Sequence, residues 1–160
     1  MSILSLMTAT GPPATEPIGL QLTRTSKVVS RAFDAALSEA GGTLPMWLVL
    51  MSLKRQEHTA QRQIAEAVGI EGPTLTHHLN RMEADGYVTR TRDPQNRRVH
   101  RVELTERGEQ AFHRLLTVVI AFDQRLRAGF TDEELATLAA LLSKLRANVA
   151  TPDETLEVAP

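Results

Sequence analysis

Residues 69–108 read GIEGPTLTHHLNRMEADGYVTRTRDPQNRRVHRVELTERG, and this stretch decides the fold. Gly72-Pro73 opens a helix, because proline in the first turn gives up an N–H that has no partner there. Leu75, Leu79 and Met82 then recur at helical steps and form one apolar face, and Gly86 stops the run. Tyr87-Val88-Thr89-Arg90 is strand-like, and Asp93-Pro94-Gln95-Asn96 is a turn cluster. Val99 to Leu104 suits a second, half-exposed strand. A helix ending in a hairpin is the expected outcome.

Upstream, Thr59 is positioned to cap a short helix from Ala60 to Val68. Ala65 is small where this helix would cross the next, and Gly69, four residues on, frees the backbone to turn. Ile64, Val68, Ile70 and Leu75 supply the apolar contacts that hold two such helices at a steep angle. Leu44 to Leu53, after a cap at Thr43 and with Pro45 in its first turn, is apolar nearly all round; such a helix is buried on several sides. An earlier helix carries Ile18, Leu22, Val29, Phe33 and Leu37 and stops at Gly41-Gly42. Downstream, Thr105 caps a long helix striped by Phe112, Leu115, Leu116, Val119, Phe122 and Leu126. Thr131-Asp132-Glu133-Glu134 is a capping box, and Leu135, Leu138, Leu142, Leu145 and Val149 then form a seam for another helix. The fold class is mainly α with a small β-hairpin, the layout of a winged helix-turn-helix.

The composition narrows the function. The chain has 160 residues and no cysteine, which excludes disulfides, thiolate metal sites, cysteine nucleophiles and thiol redox sensing. No apolar run approaches the length of a membrane span. Met1 to Pro17 has no basic residue ahead of its apolar patch, so it reads as a flexible leader of a cytoplasmic protein, not a secretory signal. Net charge is only −1, but it is unevenly spread. Residues 54–107 hold ten basic and eight acidic side chains, whereas residues 108–160 hold five and eight. Arg90, Arg92, Arg97, Arg98 and Arg101 crowd one short segment opposite a single acid, Asp93.

That pattern suggests nucleic acid. With Leu75, Leu79 and Met82 turned inward, the second helix of the pair leaves Thr74, Thr76, His77, His78 and Arg81 outside, where base edges in a major groove would be read. Thr59 and Gln61, at the start of the preceding helix, join the candidate DNA contacts. Asn96, Arg97 and Arg98 sit at or just after the hairpin tip, where an arginine can enter a minor groove. One of Arg97 or Arg98 is also placed to pair with Asp93. Each of these residues has a plainer reading, as solvated surface.

The quoted stretch resembles the MarR family of bacterial regulators, and within it the SlyA-like branch. The resemblance is carried by Gly69-Ile70-Glu71, Pro73, Leu79, Met82-Glu83, Gly86, Asp93-Pro94, Arg97-Arg98, Leu104-Thr105 and Gly108, with Trp47 in the second helix. The family has an acid directly before the arginine pair, where this chain has Asn96; His77 stands where relatives often have arginine. The resemblance implies a homodimeric repressor on a short palindromic operator in double-stranded DNA. It implies N- and C-terminal dimerisation helices at 18–42 and 105–150, a DNA-binding lobe at 43–104, and a flexible tail at 151–160. It also implies release by a small aromatic or phenolic acid held between the dimer helices and the lobe. Arg24, Met46, Trp47, Met51 and His58 are the candidate ligand residues; their plainer reading is core. No cofactor is expected.

Other classes have less support. Of the five histidines, His77 and His78 are neighbours that diverge by about 100° on a helix, and there is no His-x-x-x-His. There is no phosphate loop and no nucleophile elbow, so an enzyme is not expected. A metal-responsive regulator and a winged-helix scaffold that binds protein rather than DNA remain as alternatives.

Overall fold

A computed structural model of the chain describes residues 15–55, 60–96 and 99–150. The order is α1 (Ile18–Glu39), α2 (Leu44–Lys54), α3 (Gln61–Val68), α4 (Gly72–Ala84), β1 (Val88–Arg92), β2 (His100–Leu104), α5 (Glu106–Arg127) and α6 (Asp132–Val149). The chain forms two compact units, one up to Ile120 and one from Ala121 onward.

The first unit is built around α2. Thr43 caps it, its hydroxyl accepting from the Met46 N–H at 3.3 Å, with Pro45 in the first turn. Met46, Trp47, Val49, Leu50 and Leu53 are buried on several sides of the helix. Around them pack Leu37 of α1, Ile64 of α3, Leu75, Leu79 and Met82 of α4, Val88 and Val102 of the hairpin, and Ala111 and Leu115 of α5. Trp47 stacks on Phe112 with ring centroids 5.6 Å apart. Lys54, at the far end of α2, pairs with Glu109 at 2.9 Å. Apolar residues from α1, α3, α4, the hairpin and α5 therefore converge on one helix that is largely apolar all round.

The turn between α3 and α4 follows the sequence argument. Gly69 has φ +65, a left-handed conformation that costs a residue with a Cβ more than it costs glycine. Ile70 N–H then bonds back to the Ala65 carbonyl at 3.1 Å. The start of α3 differs from expectation: its N-cap is Ala60, with no side-chain cap, and Thr59 lies outside the described residues. Ala60 forms an antiparallel bridge with Arg101, which ties the entry to α3 to the hairpin.

The hairpin pairs Val88 with Leu104 through to Arg92 with His100. Its first strand runs two residues further than the sequence suggested, and its second begins one later. Thr105 anchors its base: the hydroxyl donates to the Gly86 carbonyl at 2.6 Å and accepts from the Gly108 N–H at 3.0 Å. Gly108 has no room for a side chain, since a Cβ there would run into the Tyr87 carbonyl oxygen.

The second unit contains the end of α5 and α6. Thr131 and Glu134 form the expected capping box, each side chain accepting from the other's backbone N–H at 3.2 and 2.8 Å. No residue of α6 is buried.

Candidate nucleic-acid interface

Helix α4 divides its residues sharply. Leu75, Leu79 and Met82 are buried; Thr74, His77 and Arg81 are exposed, and Thr76 and His78 half-buried. This is the split that the three- and four-residue spacing required. The His77 and His78 rings stand 5.9 Å apart, edge to face. Arg81 lies one turn on, and its nearest acid, Asp85, is 4.0 Å away at the exposed end of the helix.

Two candidate contacts are engaged with each other. The Gln61 side-chain amide donates to the Thr76 hydroxyl at 2.7 Å, and that hydroxyl donates to the Gly72 carbonyl at 2.9 Å. Both functions of the Thr76 hydroxyl are thus used to tie α3 to the first turn of α4. Thr76 retains its methyl group, and Gln61 its carbonyl oxygen, for outside contacts.

The arginine-rich segment divides as well. Arg90 turns back onto α4: its Nη2 donates to Glu83 Oε2 and to Asn80 Oδ1, each at 2.6 Å, and its Nε to Glu83 Oε2 at 3.0 Å. Its backbone N–H also donates to Glu83 Oε1 at 3.1 Å. The Glu83 carboxyl is held below the usual carboxylate range, chiefly by those side-chain hydrogen bonds from Arg90. Arg101 Nε donates to Asp93 Oδ2 at 2.7 Å; the pairing of Asp93 with Arg97 or Arg98 falls outside the described residues. Asp93 Oδ1 accepts from the backbone N–H of Gln95 and Asn96 at 2.8 and 3.3 Å. These bonds hold the Asp93 carboxyl below its usual range, the Gln95 N–H foremost and Arg101 next. Two of the five arginines therefore shape the hairpin, which counting charges along the chain could not reveal. Arg92 and Asn96 are exposed near the tip; Arg97 and Arg98 lie outside the described residues.

Three of the candidate ligand residues lie in or against the core. Met46 and Trp47 are buried in the core and Met51 is half-buried. Arg24 is exposed on α1 and paired with Glu16, and His58 lies outside the described residues. Met46 also borders a groove of about 540 Å³ between the α1–α2 turn and α4, with Thr43, His77, His78, Arg81 and Met82. Sequence spacing within α4 had no way to signal this groove, since its other wall comes from the end of α1. Among the described residues, no three His, Asp or Glu side chains converge as a metal site, and no helix is long and apolar enough to cross a membrane.

The MarR family profile matches residues 43–100, from the cap of α2 into β2. Several solved structures share the fold over most of the chain. The transcriptional regulator PA4135 is 30% identical, with a TM-score of 0.68, and covers 86% of this chain and 100% of its own. The transcriptional regulator PcaV from Streptomyces coelicolor, solved with its natural ligand, is 26% identical with a TM-score of 0.74, covering 90% and 100%. The transcriptional repressor CouR, solved on a 23-mer DNA duplex, is 26% identical with a TM-score of 0.73, covering 81% and 92%. The profile match falls on the helix pair and hairpin described above, and the structural likeness extends to the flanking helices: the chain belongs to the MarR family.

Proposed function

We propose that the chain is a sequence-specific DNA-binding transcription regulator, a repressor that grips a short inverted repeat as a homodimer in the cytoplasm. The observation that carries this reading is the division of α4. One face is sealed into the core, and the other presents Thr74, His77 and Arg81 beside a projecting hairpin. A helix so presented fits the major groove while the hairpin reaches the neighbouring minor groove. CouR, of like fold and family, is a repressor held on a DNA duplex.

In this reading Thr74, Thr76, His77, His78 and Arg81 face bases and phosphates, with Gln61 and Thr59 at the start of α3. Asn96, Arg97 and Arg98 serve the wing. The helices at 18–42 and 105–150 join two copies. Leu20, Leu22 and Val28 of α1, and Leu138, Leu141 and Leu142 of α6, are exposed in the single chain and supply apolar surface for that purpose. The effector is a small aromatic or phenolic acid; PcaV, solved with its natural ligand, supports the presence of an effector in a regulator of this fold. It has two places to act: the set Arg24, Met46, Trp47, Met51 and His58, and the groove beside α4, which share Met46. Arg81 on the groove's α4 wall suits a carboxylate, and its methionines suit a ring.

The test is fluorescence anisotropy on fragments from the gene's own upstream region, over a salt series. Wild type should bind selectively and lose affinity steeply with salt. Arg97→Ala should weaken all sequences and reduce the salt slope by about one, while His77→Ala should change the preference among sites. Binding that is absent or indifferent to salt, with both variants like wild type, would move the protein-scaffold alternative ahead.

A further inference from the structure

Within the arginine-rich segment, Arg90 is a residue that the DNA reading does not use. Arg90 is 18% exposed at its side chain, against 79% for Arg81 on the reading helix. It spends its guanidinium on Glu83 and Asn80 of α4, and its backbone N–H on Glu83 as well. The pairing neutralises its charge, so it is poorly placed to serve as a phosphate contact.

We infer that Arg90, with Glu83 and Asn80, is a positioning clamp that fixes the hairpin relative to the reading helix and so sets DNA selectivity. The inference rests on the DNA reading given above. Between α4 and β1 the chain passes only through Asp85, Gly86 and Tyr87. The hairpin has two strands, an arrangement with little stability of its own. Val88 and Val102 anchor its base in the core. Arg90 pairs with Val102 and lies two residues beyond Val88, on the way to the tip. Its grip at that point governs the direction the tip takes. On the helix side, Asn80 and Glu83 alternate with the exposed His77 and Arg81 along α4. The clamp therefore joins the two elements that must enter neighbouring grooves together. A charge-assisted, multiply bonded contact of this kind holds geometry more firmly than a single surface ion pair.

The clamp and the phosphate-contact alternative predict opposite signs for one variant. If Arg90 positions, Glu83→Gln loosens the hairpin and weakens binding to the selected site. If Arg90 instead contacts phosphate, Glu83→Gln releases it and binding is unchanged or tighter. The experiment measures anisotropy on the best-bound upstream fragment and on a scrambled duplex, over a salt series. It compares wild type, Glu83→Gln, Arg90→Gln and the exchange Glu83→Arg with Arg90→Glu. The clamp predicts that each single variant loses about tenfold to a hundredfold on the selected fragment. It predicts little change on the scrambled one and recovery of most of the loss in the exchange. A single variant that keeps full selectivity, an exchange that recovers nothing, or a loss shared equally by both duplexes overturns the clamp. If wild type binds neither duplex, the DNA reading fails, and the clamp's role falls with it.

Discussion

Helices α2 and α6 are both rich in leucine, yet they meet opposite fates. Six of the eleven residues of α2 are buried, while α6 buries none of its eighteen. Apolar surface that is left in water costs about 25 cal/mol for each Å². Within one chain, α2 finds partners on several sides. The seam on α6 finds no such cover, and Leu138, Leu141 and Leu142 stay exposed together. The difference teaches that hydrophobic periodicity announces a partner without saying whose chain supplies it.

The sharpest way to break this comparison is to charge the seam. Leu138→Asp with Leu142→Asp should turn a dimer into monomers in sedimentation velocity. Affinity for an inverted repeat should then fall by about a hundredfold or more, as bivalent binding is lost. A dimer that survives both charges would mean that α6 is not part of the joint.

Truncating the two helices separates them again. Leu50→Ala should cost about 2–5 kcal/mol in urea unfolding, since Leu50 is completely enclosed and the cavity cannot collapse fully. Leu141→Ala should have an effect that grows with protein concentration, because it acts through association and not through the core of one chain. Thr131→Ala removes the hydroxyl half of the α6 capping box and should cost about 1 kcal/mol.

The smallest expected effect sharpens the account of the hairpin. The carboxyls of Glu83 and Asp93 are both held below their usual range in the folded chain. A depressed folded pKa contributes stability above the unfolded value, and that contribution is lost as pH falls through the folded one. Stability should therefore decline on acidification below about pH 4.5, with nothing of this origin changing at neutral pH. In Glu83→Gln the decline should be shallower, as read by urea titrations at stepwise pH. An identical decline would mean that the Glu83–Arg90 bonds contribute nothing to the folded state.

Most of the fold was legible because its signals are local. Thr43, Gly69, Gly86, Thr105 and Thr131 punctuate the chain through their own backbone or hydroxyl chemistry, and the spacing of Leu75, Leu79 and Met82 sets the inward face of α4. The site was legible only in part. Arg90 and Arg101 looked like members of one positive cluster, because a sequence shows charges in line and not the acids folded against them. Gln61 and Thr76 looked free for the same reason: their bond spans the turn between two helices. The groove beside α4 needs α1, whose residues are forty positions away. The start of α3 was misjudged by one residue, since a cap is a statement about backbone angles, and Thr59 is only a residue type that suits one.

The central claim is that two joined copies set two α4 helices into successive major grooves of one duplex. Hydroxyl-radical footprinting on the best-bound upstream fragment tests it directly. The account predicts two protected segments related by a twofold axis, about one helical turn apart, both lost together in the doubly charged α6 variant. A single protected segment, or protection that persists when the protein is monomeric, would contradict it.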